Sequence, residues 1–383
     1  MIRRMFEEGA ALKRKHGADR VFDFSIGNPD LDPPPAFRSF LERLPAEEEK
    51  GIHGYTPNAG LPFVREALAA KAAREHGVPV DASCVVVCSG AAGGLNTVFK
   101  AICNPGDEIV VSRPYFPEYG PYAANHGARL VVVDSLPGFG LDVDAISAAL
   151  SPKTAAVLIN SPNNPTGKIY PESALAGLAA VMSEHGERCR RMPYLVSDEP
   201  YREIAFGMEV PPVLAAYRES IAVYSFSKSL SLPGERIGYV AVNPEARDRA
   251  ALMDALIYST RILGFVNAPA IMQRAVAELA GETVDCGIYL KRRDAFVEVL
   301  RGAGIACEAP EGAFYLFCKV PERKANPAGP WDDLAFVDCL KRHLVLGVPG
   351  SGFGQPGWLR FAFCVDEGII RASASAFAGA MGQ

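Results

Sequence analysis

Lys228 stands in the run Ser225-Phe226-Ser227-Lys228-Ser229-Leu230-Ser231, and Arg236 follows eight positions later, behind Pro233-Gly234. A solvated helix face would carry more charge than this stretch. A buried strand would not tolerate an unpaired ammonium. The amine therefore calls for a bound group to occupy it.

Other polar residues suited to chemistry also fall just after apolar runs. "CVVVCS" leads into Gly90-Ala91-Ala92-Gly93-Gly94, "EIVVS" into "RPYFPEY" with Phe116, and "AAVLIN" into "SPNNPTG" with Asn164. "YLVSD" ends in Asp198, Glu199 and Tyr201, and "IAVYSF" ends in the lysine run. Each feature alone has a plain structural alternative: a close-packing glycine turn, a proline-bounded turn, a salt-bridged carboxylate. As a set they match the needs of pyridoxal phosphate. That cofactor needs an amine to hold its aldehyde as a Schiff base and a carboxylate beside its ring nitrogen. It also needs donors to its phenolic oxygen, an aromatic face, and cations and amides for its phosphate. Lys228, Asp198, Tyr201 with Asn164, Phe116, and Arg236 with Ser225 and the Gly90 turn meet those needs in turn. The Gly90 turn does not follow the Gly-x-Gly-x-x-Gly pattern of dinucleotide sites.

These residues require elements that bring strand ends together. Seven short β-branched runs between "CVVVCS" and "IGYVAVN", most followed by helical patterns, predict a doubly wound, mostly parallel α/β sheet with its ligand crevice at the carboxyl ends of strands. Strand direction is not legible in the runs, so an antiparallel member is compatible with them. After about Asn267 a helical stretch reaches about Arg301. "GIACEAP", "GAFYLFCKV" and "WLRFAFCV" then predict strands of a smaller α+β unit, with "PERKANPAGPWDD" as a loop. The expected division is an N-terminal segment over 1–34 packing with the small domain, a large cofactor domain over 35–272, and a small domain over 273–383.

Composition narrows the class further. The chain has 383 residues, 49% hydrophobic and 22% charged, with a net charge of −5. That suits a soluble globular protein with a large core and two domains, and it disfavours nucleic acid or anionic membrane as partners. No apolar run is long enough to span a bilayer, and the N-terminus lacks a signal-peptide core. Nine scattered cysteines without a Cys-x-x-Cys pair read as thiols of a reducing cytoplasm, and six isolated histidines give no metal spacing.

The ordered positions Gly27-Asn28-Pro29, Tyr55, Gly90, Asn164-Pro165-Thr166-Gly167, Asp198, Tyr201, Ser225-Phe226-Ser227-Lys228, Arg236 and Arg360 resemble the class I/II aminotransferases of the fold-type-I pyridoxal-phosphate enzymes. The resemblance runs from "FSIGNPD" to "WLRFAFC", nearly the whole chain. It implies that Lys228 holds the cofactor and afterwards shuttles a proton at the substrate α-carbon. It assigns Asp198 to the ring nitrogen and Tyr201 and Asn164 to the phenolic oxygen. Phe116 is expected to stack on the ring, and Ser225, Arg236 and the amides of Gly90, Ala91 and Ala92 to hold the phosphate. Arg360 is expected to grip the substrate carboxylate, with Gly27 closing over it. Tyr55 matches a tyrosine that reaches the phosphate of a neighbouring subunit, which implies a homodimer with composite sites.

Substrate choice is less legible. Ala92 stands where one aspartate-specific branch carries a side-chain-reading lysine, and Ala92 cannot do that. Arg261, in "STRILGFVNAP", is near the place of a carboxylate-reading arginine of another branch; the alternative is a solvated helix arginine. Glutamate with 2-oxoglutarate is the pair that family habit suggests, with aspartate or alanine as the other amino acid. The same residues would serve a β-eliminating carbon–sulfur lyase. A non-catalytic sensor of the kind fused to transcription regulators would need a DNA-binding domain. The aminotransferase pattern begins by residue 25, where such a domain would stand.

Overall fold

The computed structural model describes residues 2–46, 50–322 and 331–382, with side chains from residue 7 onward. In chain order its strands are β1 (Phe22–Asp23), β2 (Val85–Cys88), β3 (Glu108–Ser112), β4 (Arg129–Val133), β5 (Thr154–Asn160), β6 (Tyr194–Asp198) and β7 (Ser220–Ser225). They continue as β8 (Gly238–Val242), β9 (Tyr315–Lys319), β10 (Val345–Leu346), β11 (Val348–Pro349) and β12 (Trp358–Ala362).

Seven of them form one sheet in the order β2-β8-β7-β6-β5-β3-β4. Strands β2, β5, β7 and β8 are buried at every residue, which is why they read as unbroken apolar runs. Alternation sends Val85 and Val87 to one face, against Val64 and Leu68 of the helix Pro62–His76. Val86 and Cys88 go to the other, against Leu95, Val98 and Phe99 of the helix Gly90–Ile102. The antiparallel member is β8, which opposes both β2 and β7. Its reversed direction brings its first residue, Gly238, opposite Cys88 and Ser225, at the edge where the parallel strands end.

A second, three-stranded antiparallel sheet has the order β11-β12-β9. Its core gathers Phe24, Phe296, Phe314, Phe361 and Phe377. Strand β1 pairs in parallel with β10, so the N-terminal segment is stitched to this unit. The run Gly304–Pro310, expected as a strand, is instead irregular chain. Within it only Ile305 and Pro310 are buried, and Pro310 has no N–H, so it has neither a continuous buried face nor a full set of ladder donors. Of the loop expected at 321–333, residues 323–330 lie outside the described residues.

Candidate active site

Residues following β2, β3, β5, β6 and β7 line one cavity of about 370 Å³, which the second unit covers with Arg360 and Tyr315 and the N-terminal segment with Ser25–Asn28. Parallel order makes these ends converge, because side chains at successive carboxyl ends share one sheet edge.

The hydroxyl-rich run around Lys228 satisfies a tight buried turn. Ser225 ends β7 and its Oγ accepts from the Ser227 amide, capping the short helix Phe226–Ser229. Ser231 Oγ donates to the Leu31 carbonyl. Lys228 lies in that helix, and its Nζ donates to the Gly27 carbonyl at 2.8 Å. Burial lowers its amine to about 8, with the positive charges of Arg360 and Arg236 acting in the same direction. Beyond the Pro233–Glu235 turn, Arg236 takes a left-handed φ of 51° and its Nη1 reaches Ser227 Oγ at 3.4 Å. Gly90 makes room for it: a Cβ there would sit 2.7 Å from Arg236 Nη2, and its own φ of +68° favours glycine.

Asp198 closes β6 with both carboxylate oxygens buried. Oδ2 accepts the Tyr119 hydroxyl at 2.6 Å, while Oδ1 has no hydrogen-bond partner among the described residues. Burial raises the carboxyl to about 7, with the Tyr119 hydrogen bond working against that rise. The adjacent Glu199 belongs to a different environment, bonded to Ser197 and Arg202, and it does not line the cavity. Burial would raise it as well, but Arg202 and His76 prevail and hold it at about 2.

Another wall of the cavity comes from the smaller unit. Arg360, on β12, is buried yet lines the cavity; its Nη1 donates to Asn164 Oδ1 at 3.1 Å and its Nη2 to the Ser25 carbonyl at 2.8 Å. Its Nε has no hydrogen-bond partner among the described residues. The guanidinium lies over the Tyr315 ring, 4.5 Å from the centroid, and the Tyr315 hydroxyl meets that of Tyr201 at 2.8 Å. Gly27 fits against the same hydroxyl, where a Cβ would approach to 2.0 Å.

The cavity thus brings together Gly27, Ala91, Ala92, Phe116, Asn164, Asp198, Tyr201, Ser225, Lys228, Arg236 and Arg360, with Gly90 supporting Arg236 from behind. Tyr55 is 91% exposed and Arg261 is exposed at the end of the helix Arg249–Ile262; neither lines the cavity. Sequence reasoning missed Tyr119, Tyr315 and Asn160. Asn160 ends β5, donates to the Asp198 carbonyl at 2.8 Å and receives the Asn164 amide at 2.6 Å. The one available signal was its place at the last position of "AAVLIN".

The residues present fit pyridoxal phosphate: a buried, low-pKa amine, and a carboxylate oxygen and a guanidinium N–H without partners among the described residues, belong to side chains that line the same cavity.

A family model described as aminotransferase class I and II matches residues 19–377. The chain is 32% identical to an aspartate/prephenate aminotransferase of Thermus thermophilus, over 97% of this chain and 93% of that protein. A crystal structure of an amino transferase from Eubacterium rectale superposes with a TM-score of 0.94 at 38% identity, covering 100% of this chain and 95% of that one. The aspartate aminotransferase of Thermus thermophilus with maleate gives a TM-score of 0.86 at 29% identity, covering 99% and 96%.

Proposed function

The chain belongs to the class I and II aminotransferases, and from that premise we propose that it moves an amino group between an L-amino acid and a 2-oxo acid with pyridoxal phosphate as cofactor. Glutamate and 2-oxoglutarate form one pair, with aspartate or alanine as the other amino acid. The observation that carries the cofactor assignment is Asp198, which lines the cavity of Lys228 and Arg360 with its Oδ1 buried and unpartnered.

Bound pyridoxal phosphate supplies an electron-accepting ring that takes up the charge left when the substrate α-proton departs. Asp198 accepts a hydrogen bond from the protonated ring nitrogen and keeps that proton in place. Lys228, with its amine near 8, is partly neutral close to neutral pH and takes the proton from the substrate α-carbon. Arg360 binds the substrate carboxylate through its planar fork while Asn164 orients the guanidinium. Tyr201 and Asn164, which line the cavity, would donate to the phenolic oxygen, and Phe116 would pack against the ring. Arg236, Ser225 and the amides of Gly90, Ala91 and Ala92, at the start of the helix Gly90–Ile102, hold the phosphate.

The active unit is a homodimer in which Tyr55 serves the neighbouring subunit's phosphate and Arg261 reads a side-chain carboxylate across the interface. The aspartate-named relatives and the maleate complex of one of them support an acidic substrate.

The test is an acceptor-dependence assay. Glutamate should accumulate from aspartate or alanine only when 2-oxoglutarate is present. Pyruvate and ammonia released without any oxo acid would make the protein a lyase instead.

A further inference from the structure

Asp198, Tyr201, Ser225 and Lys228 each have a chain neighbour that belongs to a second, buried polar network and does not line the cavity: Glu199, Arg202, Tyr224 and Ser229. For Tyr224 and Ser225 the split is strand alternation, since adjacent side chains leave β7 on opposite faces, while Glu199 and Arg202 stand in the turn after β6 and Ser229 in the helix Phe226–Ser229. The network is anchored on the helix Pro62–His76. Lys71 Nζ lies 2.6 Å from Glu75 Oε1 and 2.5 Å from Glu203 Oε1, and 4.8 Å from the centre of the Tyr224 ring. Arg202 pairs with Glu199 at 3.2 Å and donates to the Glu75 carbonyl at 2.8 Å, and His76 Nε2 lies 3.4 Å from Glu199. The Tyr224 hydroxyl donates to Glu203 and meets Ser229 Oγ at 2.7 Å.

Buried ion pairs are seldom a better source of stability than apolar packing of the same volume. What this network adds over an apolar core is direction: its bonds end beside four cavity residues and start from one helix. We infer that the Lys71–Glu203–Tyr224–Ser229 chain and its Glu199–Arg202 branch form a positioning frame that holds Lys228 and Asp198 in register for the cofactor. The inference rests on the pyridoxal-phosphate reading above. Lys71, Glu203, Tyr224 and Ser229 are positioning residues; none of them touches the reacting atoms. Tyr224 is the link between the ionic cluster and the backbone next to Lys228.

The test uses wild-type apoprotein, Tyr224→Phe, Ser229→Ala and the double variant, each titrated with pyridoxal phosphate by absorbance and melted without it. Ser229→Ala removes the Tyr224–Ser229 bond alone, and Tyr224→Phe removes that bond together with the one to Glu203. Each should raise the cofactor Kd roughly 10-fold, the scale seen when supporting bonds to ligand-holding groups are lost. The double variant should be no worse than Tyr224→Phe alone, because that substitution already removes the shared bond. Apoprotein melting temperatures should stay near wild type. A Kd that is unchanged in the folded variants, or losses that add in the double variant, would overturn the frame. Should Tyr224→Phe not fold, Ser229→Ala carries the same expectation alone. Wild type that fails to bind pyridoxal phosphate would overturn the underlying reading, and the frame with it.

Discussion

The Tyr119 hydroxyl donates to Asp198 Oδ2 at 2.6 Å, so the carboxylate reaches the cavity wall with one oxygen held and the other, Oδ1, without a partner among the described residues. The carboxyl near 7 is poised between its neutral and charged forms, and a protonated ring nitrogen would draw it to the charged one.

This has a consequence for the apoprotein. A folded carboxyl raised from 3.8 to about 7 binds more protons than the unfolded chain between those values. Stability from this group is therefore present below about pH 4 and lost as pH rises through about 7, by about 4 kcal/mol. Melting of Asp198→Asn apoprotein across that window should lack this decline. Glu199, held at about 2, has the opposite sign at lower pH and stays in both proteins. Identical pH profiles for the two would refute the assignment.

Tyr119→Phe removes the bond that opposes the rise of Asp198. The pH at which the apoprotein's decline ends should move up by about one unit, the effect of one hydrogen bond to a charged group. Cofactor affinity near neutral pH should fall with it. Equilibrium titrations at several pH values would show either change.

Lys228 gives a prediction of the same kind with a different window. Its amine near 8 must be neutral to capture an aldehyde, so the rate of pyridoxal phosphate capture should rise as pH passes through about 8. Stopped-flow mixing of apoprotein and cofactor would show the inflection. Lys228→Ala should keep the fold and lose transamination.

Arg360→Lys keeps the charge but loses the planar fork. A drop in kcat/KM of about 10- to 200-fold is expected, the range for hydrogen bonds to charged groups. The cofactor Kd should be unchanged, since Arg360 is assigned to the substrate. Steady-state kinetics beside a cofactor titration separates the two.

Arg261→Ala should raise KM for aspartate and glutamate by about tenfold or more and leave alanine unaffected, if the arginine reads a side-chain carboxylate across a dimer. An equal loss for every substrate would point to damage at the subunit contact instead.

Much of this architecture was legible because the polar residues follow the strands that carry them. "CVVVCS", "AAVLIN" and "IAVYSF" become β2, β5 and β7, and the residues behind them share one edge. Other parts depend on where distant segments meet. Nothing in "IGYVAVN" says that β8 runs backwards, yet that reversal brings Gly238 to the edge of the site. Tyr119, at the end of "RPYFPEY", and Tyr315, within the apolar run "GAFYLFCKV", carry no local mark of their roles until tertiary packing sets one on Asp198 and the other beneath Arg360. "GIACEAP" has the look of a strand in its first residues only; Pro310 and its exposed neighbours leave it without a pairing face. The pairing of β1 with β10 joins residues more than 300 positions apart, beyond the reach of any local pattern.

The central claim is that Lys228, Asp198 and Arg360 act together on an amino acid bound to pyridoxal phosphate. Its most direct test is to load the purified protein, add a single amino acid without an oxo acid, and follow the cofactor's absorbance. Conversion to the pyridoxamine form, in stoichiometric amount and with one oxo acid released per site, is the predicted result. A band that stays in place while pyruvate and ammonia accumulate would contradict it.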